Sequence, residues 1–241
     1  MNSQGLWTLD ELVTKIQNDL ELHEEVFVVP GDIVSYINDA IDDAEQIIID
    51  LFSDFFLTYR DLTVIAGENQ HPLPSDLFES RIRGLYYNQS GWSNTQSALQ
   101  QYYKVKKMSL ELQGFILVND PWQYRLINSS DQTQKLYLFP AVDVTSNNRF
   151  RLWYIRRANR LLAGTDVLEK GLRPQYILAH AKCAVMQKEG DPSLSFELEN
   201  LKAQRDAMIS ALSRLTDDDE DSYLYPDAHT INLSYGSGWD E

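Results

Sequence analysis

The sequence predicts an α+β fold: a helical bundle of three to four helices with an antiparallel β insertion and an extended C-terminal tail. Three features carry that expectation. Apolar residues recur with a period near 3.6 over residues 33–55, and again over 177–215. Between 59 and 157, short runs rich in Tyr, Val, Ile, Leu and Phe alternate with Gly, Pro, Asn and Ser. Beyond residue 215 the chain turns acidic and then aromatic. Residues 1–58 therefore supply the N-terminal helices of the bundle, 59–157 the β-rich insertion, 158–215 a helix pair that completes the bundle, and 216–241 the tail. With 241 residues, 43% of them hydrophobic, the chain is long enough to bury a core.

The first elements are helical. Thr8-Leu9-Asp10-Glu11 is a capping box, in which the Thr hydroxyl accepts from the N3 amide and the Glu carboxylate reaches back. Leu9, Leu12, Val13, Ile16 and Leu20 continue it as a short amphipathic helix, which ends in acids at Glu21, Glu24 and Glu25. Pro30-Gly31 breaks the chain, and Asp32 is placed to cap the second helix. Ile33, Ile37, Ala40, Ile41, Ala44, Ile48, Leu51 and Phe55 form one stripe, with Asn38, Asp39, Asp42, Asp43 and Gln46 mostly opposite. Strands are predicted at 62–65, 82–87, 115–118, 124–127, 136–139 and 150–155. Turn signals separate them at 66–69, 89–91, 119–121 and 128–131. Residues 94–107 read as a helix with Leu99, Tyr102 and Tyr103 on its apolar side. A helix over 176–188 presents Ile177, Leu178, Ala181, Ala184 and Val185. Gly190-Asp191-Pro192 ends it and opens the last helix, with Asp191 as cap and Pro192 at the first position. There Leu194, Leu198, Leu201, Met208, Leu212 and Leu215 make a stripe interrupted by Arg205.

The chemistry-bearing residues argue against an enzyme. No phosphate-binding loop, dinucleotide fingerprint or nucleophile elbow occurs. The four histidines, His23, His71, His180 and His229, are scattered. Glu68-x-x-His71 has the spacing used in di-iron bundles, but it occurs once, beside Pro72 and in a predicted loop, so no metal is assigned. Asp217, Asp219 and Asp221 imitate the start of a calcium loop without its Gly and final Glu. The single cysteine, Cys183, excludes a disulfide within the chain and reads as a small buried hydrophobe. No cofactor is expected. No run approaches the roughly 18 apolar residues of a membrane span. Met1 to Gly5 lack the basic and apolar regions of a signal peptide, so a soluble chain that stays in the cytosol of its synthesis is expected. The net charge of −15 argues against the outside of a nucleic-acid duplex as main partner, but is compatible with an acidic channel in which DNA slides without sticking.

Two segments invite an interaction reading. Arg149, Arg151, Arg156, Arg157 and Arg160 crowd one region of an acidic chain. On an extended strand Arg149, Arg151 and Arg157 share the side opposite Phe150, Leu152 and Tyr154. They are the candidate basic half of a subunit interface whose acidic half lies elsewhere on the molecule, the kind of head-to-tail contact that builds rings. The tail runs through Asp217-Asp218-Asp219-Glu220-Asp221 with no Lys or Arg. It then offers Tyr223, Leu224 and Tyr225, the alternating Ile231, Leu233 and Tyr235, and Trp239, a pattern suited to adding a strand to a partner.

The order of these features resembles the head-to-tail adaptor (connector ring) proteins of tailed bacteriophages. The residues that carry the resemblance are Ile37-Asn38-Asp39-Ala40 on an early helix and Leu73-Pro74-Ser75-Asp76 leading into a strand. Tyr124-Arg125-Leu126 and Leu136-Tyr137-Leu138-Phe139-Pro140 come next in the β region, then Tyr154-Ile155-Arg156 at a strand end and the closing helix pair. It covers about residues 32–215. The resemblance implies a non-catalytic virion protein that assembles in the host cytoplasm and resides at the head–tail junction. Its partners would be further copies of itself in a dodecameric ring, the portal protein, a downstream tail or nozzle protein, and genomic DNA passing through without sequence-specific contact. It implies that the C-terminal tail grips the portal. Another ring-forming component (tail terminator or gatekeeper) and a soluble non-viral binding module are the alternatives.

Overall fold

The computed structural model describes residues 6–22, 28–88, 102–108, 122–128 and 133–217. The capping box forms as the sequence dictates: Thr8 Oγ1 accepts from the Glu11 amide, and the Glu11 carboxylate accepts from Thr8 N–H at 2.9 Å. It starts α1 (Leu9–Asp19), which buries Leu9, Leu12 and Ile16. The second helix, α2 (Pro30–Leu51), begins at the proline itself. A proline at the first helical position lacks only an N–H that would have no intrahelical partner. Asp32 is thus not the cap but the third helical residue, and its carboxylate accepts from Val29 N–H at 3.0 Å. The stripe from Ile33 to Ile48 is buried. It ends sooner than the periodicity suggests, because Leu51 is 46% exposed and Phe56, not Phe55, is the buried ring after the helix.

Seven strands come after α2: β1 (Leu57–Val64), β2 (Gln70–Pro72), β3 (Leu77–Asn88), β4 (Tyr102–Lys107), β5 (Gln123–Asn128), β6 (Gln134–Phe139) and β7 (Ser146–Arg156). Helices α3 (Pro174–Glu189) and α4 (Leu194–Asp217) complete the described chain, so the fold is mixed α+β. None of its described helices is long and apolar enough to cross a membrane. The predicted helix at 94–107 is corrected where it is described: 102–107 is strand, paired with β3, with Val105 buried between exposed Lys104 and Lys106. β2 went unpredicted because it is three residues long and contains Pro72, which only an edge strand tolerates. The predicted strand at 115–118, the turns at 89–91, 119–121 and 129–131, His23, Glu24, Glu25 and His229 lie outside the described residues.

The chain divides into two compact units, one built from both chain ends (up to Ala44 and from Leu161) and one spanning Glu45–Arg160. In the latter the strand order is β1-β7-β3-β4-β5-β6-β2. The pairing is antiparallel except between β4 and β5, which run parallel. β1 and β2 form the two edges, yet only residues 65–69 join them. Seven strands laid flat would separate the edges by about 29 Å, whereas that link spans at most about 21 Å. The sheet therefore rolls up. Gly67, at φ +81°, turns the chain, and its N–H donates to Val142 O at 2.9 Å while Leu138 N–H donates to Asn69 O. The inner side holds one core, including Leu62, Val64, Leu85, Leu136, Leu138, Phe150 and Leu152. Each such side chain contributes roughly 1.5–3 kcal/mol by leaving water.

In the unit of the chain ends, α3 is enclosed on several faces: Tyr176, Ile177, Leu178, Ala179, Ala181, Cys183, Val185 and Met186 are all buried. Polar ties set the helix directions around it. Lys188 Nζ meets the Asp32 carboxylate at 2.8 Å and Tyr176 OH donates to Asp43, so α2 runs antiparallel to α3. Arg173 donates to Ala207 O at 2.6 Å, and Asp19 takes an ion pair from Lys182. Gly190, at φ +70°, closes α3 with its N–H on Met186 O. Pro192 lies in the turn before α4, not at its first position, and Asp191 Oδ1 accepts from Ser193 N–H at 2.6 Å.

Candidate functional site

The structure joins the short sequence patterns across long stretches of chain. Leu73-Pro74-Ser75-Asp76 forms a turn closed by the backbone, Leu77 N–H to Pro74 O at 3.2 Å. The Asp76 carboxylate does not close that turn. It accepts instead from Tyr154 OH, at 3.0 and 3.2 Å from its two oxygens, while Asp76 O accepts from Arg157 N–H at 2.7 Å. The start of β3 is thereby locked to the end of β7. Burial and the Asp76 carboxylate push the Tyr154 phenol up to about 12, so it stays a donor at any physiological pH. Asn38 was expected among polar residues opposite the stripe, but it is buried. Its Oδ1 accepts from Leu161 N–H at 2.9 Å, and its Nδ2 donates to Leu161 O and Val34 O. One side chain thus fixes the residue at which the chain re-enters its terminal unit.

The arginine cluster is divided by the fold. On β7, Phe150, Leu152 and Tyr154 point into the core, as alternation requires, and Arg149, Arg151 and Trp153 point out. Arg157 does not join Arg149 and Arg151, because β7 ends at Arg156 and Arg157 lies in the loop after it, over the Phe78 ring. Arg156 stacks over Phe56, and Arg160 is exposed. Arg151 is the most constrained: it grips Asp61 with two bonds, 2.7 and 3.1 Å, and lies 4.0 Å from the Tyr59 ring centroid. Bidentate pairing and ring stacking both favour a fixed guanidinium. Strand register extends this outer face across four strands: Asp61 pairs with Arg151, Arg151 with Tyr86, and Tyr86 with Lys104. Beside that row Tyr59 packs on Trp153 at 5.1 Å between centroids. Lys104 escaped sequence reasoning because 94–107 looked helical, although the alternation Lys104-Val105-Lys106 was there to be seen.

A second surface lies on α4. Met208 and Leu212 are buried, but toward the N-terminus the stripe emerges at Leu198, which is 49% exposed; Phe196, two residues earlier and so on the other side of the helix, is 74% exposed. The tail residues Tyr223, Leu224, Tyr225, Ile231, Leu233, Tyr235 and Trp239 lie outside the described residues.

Cys183 and His71, the groups weighed for chemistry, are both buried. Burial, with the Glu197 carboxylate nearby, pushes the Cys183 thiol up to about 11, which disfavours the thiolate a nucleophile needs. His71 is not in a loop but on β2, paired with Leu136 and 1% exposed, and its Nε2 has no partner among the described residues. No three His, Cys, Asp or Glu side chains converge as metal ligands among the described residues. Burial lowers the His71 pKa, against an opposing pull from Glu68. The unfolded chain then binds the proton more readily than the folded one. Stability falls as pH drops below the unfolded value of about 6.5, and continues to fall until the folded value is passed. Urea unfolding at pH 7.5 and pH 5.5 is expected to show a smaller loss for His71→Leu than for the wild type. An equal loss in both proteins would mean that His71 does not set the acid sensitivity.

No curated protein matches the chain. The model of a family described as SU10 adaptor protein matches residues 7–230, nearly the whole length. That span covers both units, the Asn38, Asp76 and Tyr154 contacts and the outward arginines, and the family is one of phage structural adaptors, not of enzymes: the chain belongs to the SU10 adaptor protein family.

Proposed function

We propose that this protein is the subunit of an adaptor ring of twelve copies that docks under the portal of a tailed phage. The ring extends the DNA channel and offers the attachment platform for a downstream tail or nozzle protein. The observation that carries the proposal is the family match over residues 7–230. Two features support it. Phe196 and Leu198 leave apolar side chains exposed on two sides of α4, which packed neighbours would cover. The net charge of −15 suits a channel wall that repels passing DNA without reading its sequence. In this reading α1 to α4 form a bundle that is the body of the ring, and residues 59–157 are the insertion that meets neighbours or the next tail component. Arg149, Arg151, Arg156, Arg157 and Arg160 contribute to the subunit interface, and the tail from Tyr223 to Trp239 reaches the portal.

Electron microscopy of the protein mixed with the portal of the same phage tests this. A second ring stacked on the portal is the expected result. A bare portal beside free monomers would overturn it in favour of a distal tail terminator or gatekeeper, or of a stand-alone binding module.

A further inference from the structure

We propose that the outer face of β1-β7-β3-β4 is the docking surface for the acidic segment Asp217–Asp221 of a neighbouring copy. This deepens the ring reading above and rests on it for the neighbour. The face carries Arg149, Arg151 and Lys104 around the rings of Tyr59, Tyr86 and Trp153, in a chain whose net charge is −15. Arg151 is held rigid by Asp61 and Tyr59. Arg149 and Lys104 make no ion pair among the described residues, so their charge is available to a partner. A segment with the opposite sign exists on this chain: residues 217–241 hold eight acids and no Lys or Arg, and five of the acids form the run Asp217–Asp221 ahead of the portal-directed tail. Carboxylates meeting cations held in place on a sheet gain Coulombic attraction and a fixed register. A contact between one copy's tail and the next copy's sheet is heterologous, and a heterologous contact with rotational closure makes a ring. The same face could attract nucleic acid. A duplex carries a continuous line of phosphates that needs many clustered cations, whereas the three cations here match a short run of five acids.

The first test uses full-length protein and a fluorescent peptide of residues 216–225, followed by anisotropy. Saturable binding is expected, weakened roughly tenfold or more by Lys104→Glu with Arg149→Glu and by raised salt. The unfolding midpoint should not move, since neither side chain is buried. Absence of binding, binding indifferent to the charge reversal, or tighter binding of a duplex oligonucleotide than of the peptide would overturn the proposal. The second test mixes two full-length variants with portal present: one carries Lys104→Glu and Arg149→Glu, the other Asp218→Lys, Asp219→Lys, Glu220→Lys and Asp221→Lys. Each alone should fail to form the ring, and the mixture should form it, because every sheet then faces a tail of opposite sign. A mixture that stays unassembled while wild type assembles would place the acidic segment on its own chain and defeat the neighbour assignment. Peptide binding that depends on Arg149, together with no wild-type ring, would instead defeat the ring reading and leave the docking surface standing.

Discussion

Asn38→Ala is expected to destabilise the fold by about 2–4 kcal/mol, read as a lowered urea midpoint with little change in slope. The size follows from what the side chain does. Asn38 is 8% exposed and Leu161 1% exposed. Three hydrogen bonds of 2.9–3.0 Å are lost together. The cost is less in the bonds themselves than in the buried N–H and C=O of Leu161 left without a partner, at about 1–3 kcal/mol for each such group. Asn38→Asp distinguishes the two halves: it keeps an acceptor for Leu161 N–H but offers no donor to Leu161 O, and should fall between wild type and alanine or below both if the carboxylate is buried charged. A loss under about 1 kcal/mol for the alanine variant would mean that water enters and satisfies Leu161.

Deleting residues 217–241 is expected to abolish attachment to the portal while leaving the unfolding free energy within about 0.5 kcal/mol of wild type. The buried side chains of the described structure end at Leu212, so the core should not register the loss. The deletion removes eight of the 36 acidic residues and no Lys or Arg. It also removes every aromatic residue beyond α4, including Tyr223, Tyr225, Tyr235 and Trp239. In the proposed ring the tails would act together through effective concentration, so their joint removal should be all-or-none. Co-sedimentation with portal, beside urea unfolding of the same preparation, separates attachment from folding. Normal attachment by the folded, shortened protein would sink the tail assignment. Attachment lost together with the fold would show that the segment belongs to the core.

Much of the fold was legible because local rules and tertiary packing agree. The capping box at Thr8 and Glu11 needs only four consecutive residues. The stripe of α2 needs only its period, and the inward Phe150, Leu152 and Tyr154 need only alternation. The failures have equally physical causes. Residues 102–107 carry Tyr, Lys and Val in an order that fits a weak helical face as well as a strand, and only pairing with β3 selects the strand. Asn38 looks like an exposed polar residue until the backbone of Leu161, 123 residues later, arrives to satisfy it. His71 looks like a loop residue until β6 pairs with it.

Local sequence dictates most of the elements, the buried faces of the longest ones, the acidic aromatic end and the order of short patterns that resembles a phage adaptor. Those properties are written in periods of 2 and 3.6 and in cap and turn chemistry, which act over a few residues. Packing across the whole chain selects which distant residues meet: Asp76 with Tyr154, Asp61 with Arg151, Asn38 with Leu161, and Lys104 with the arginine face. Those contacts depend on strand order and register, which are set by how one whole sheet closes over a single core and are not encoded in any short window of the chain.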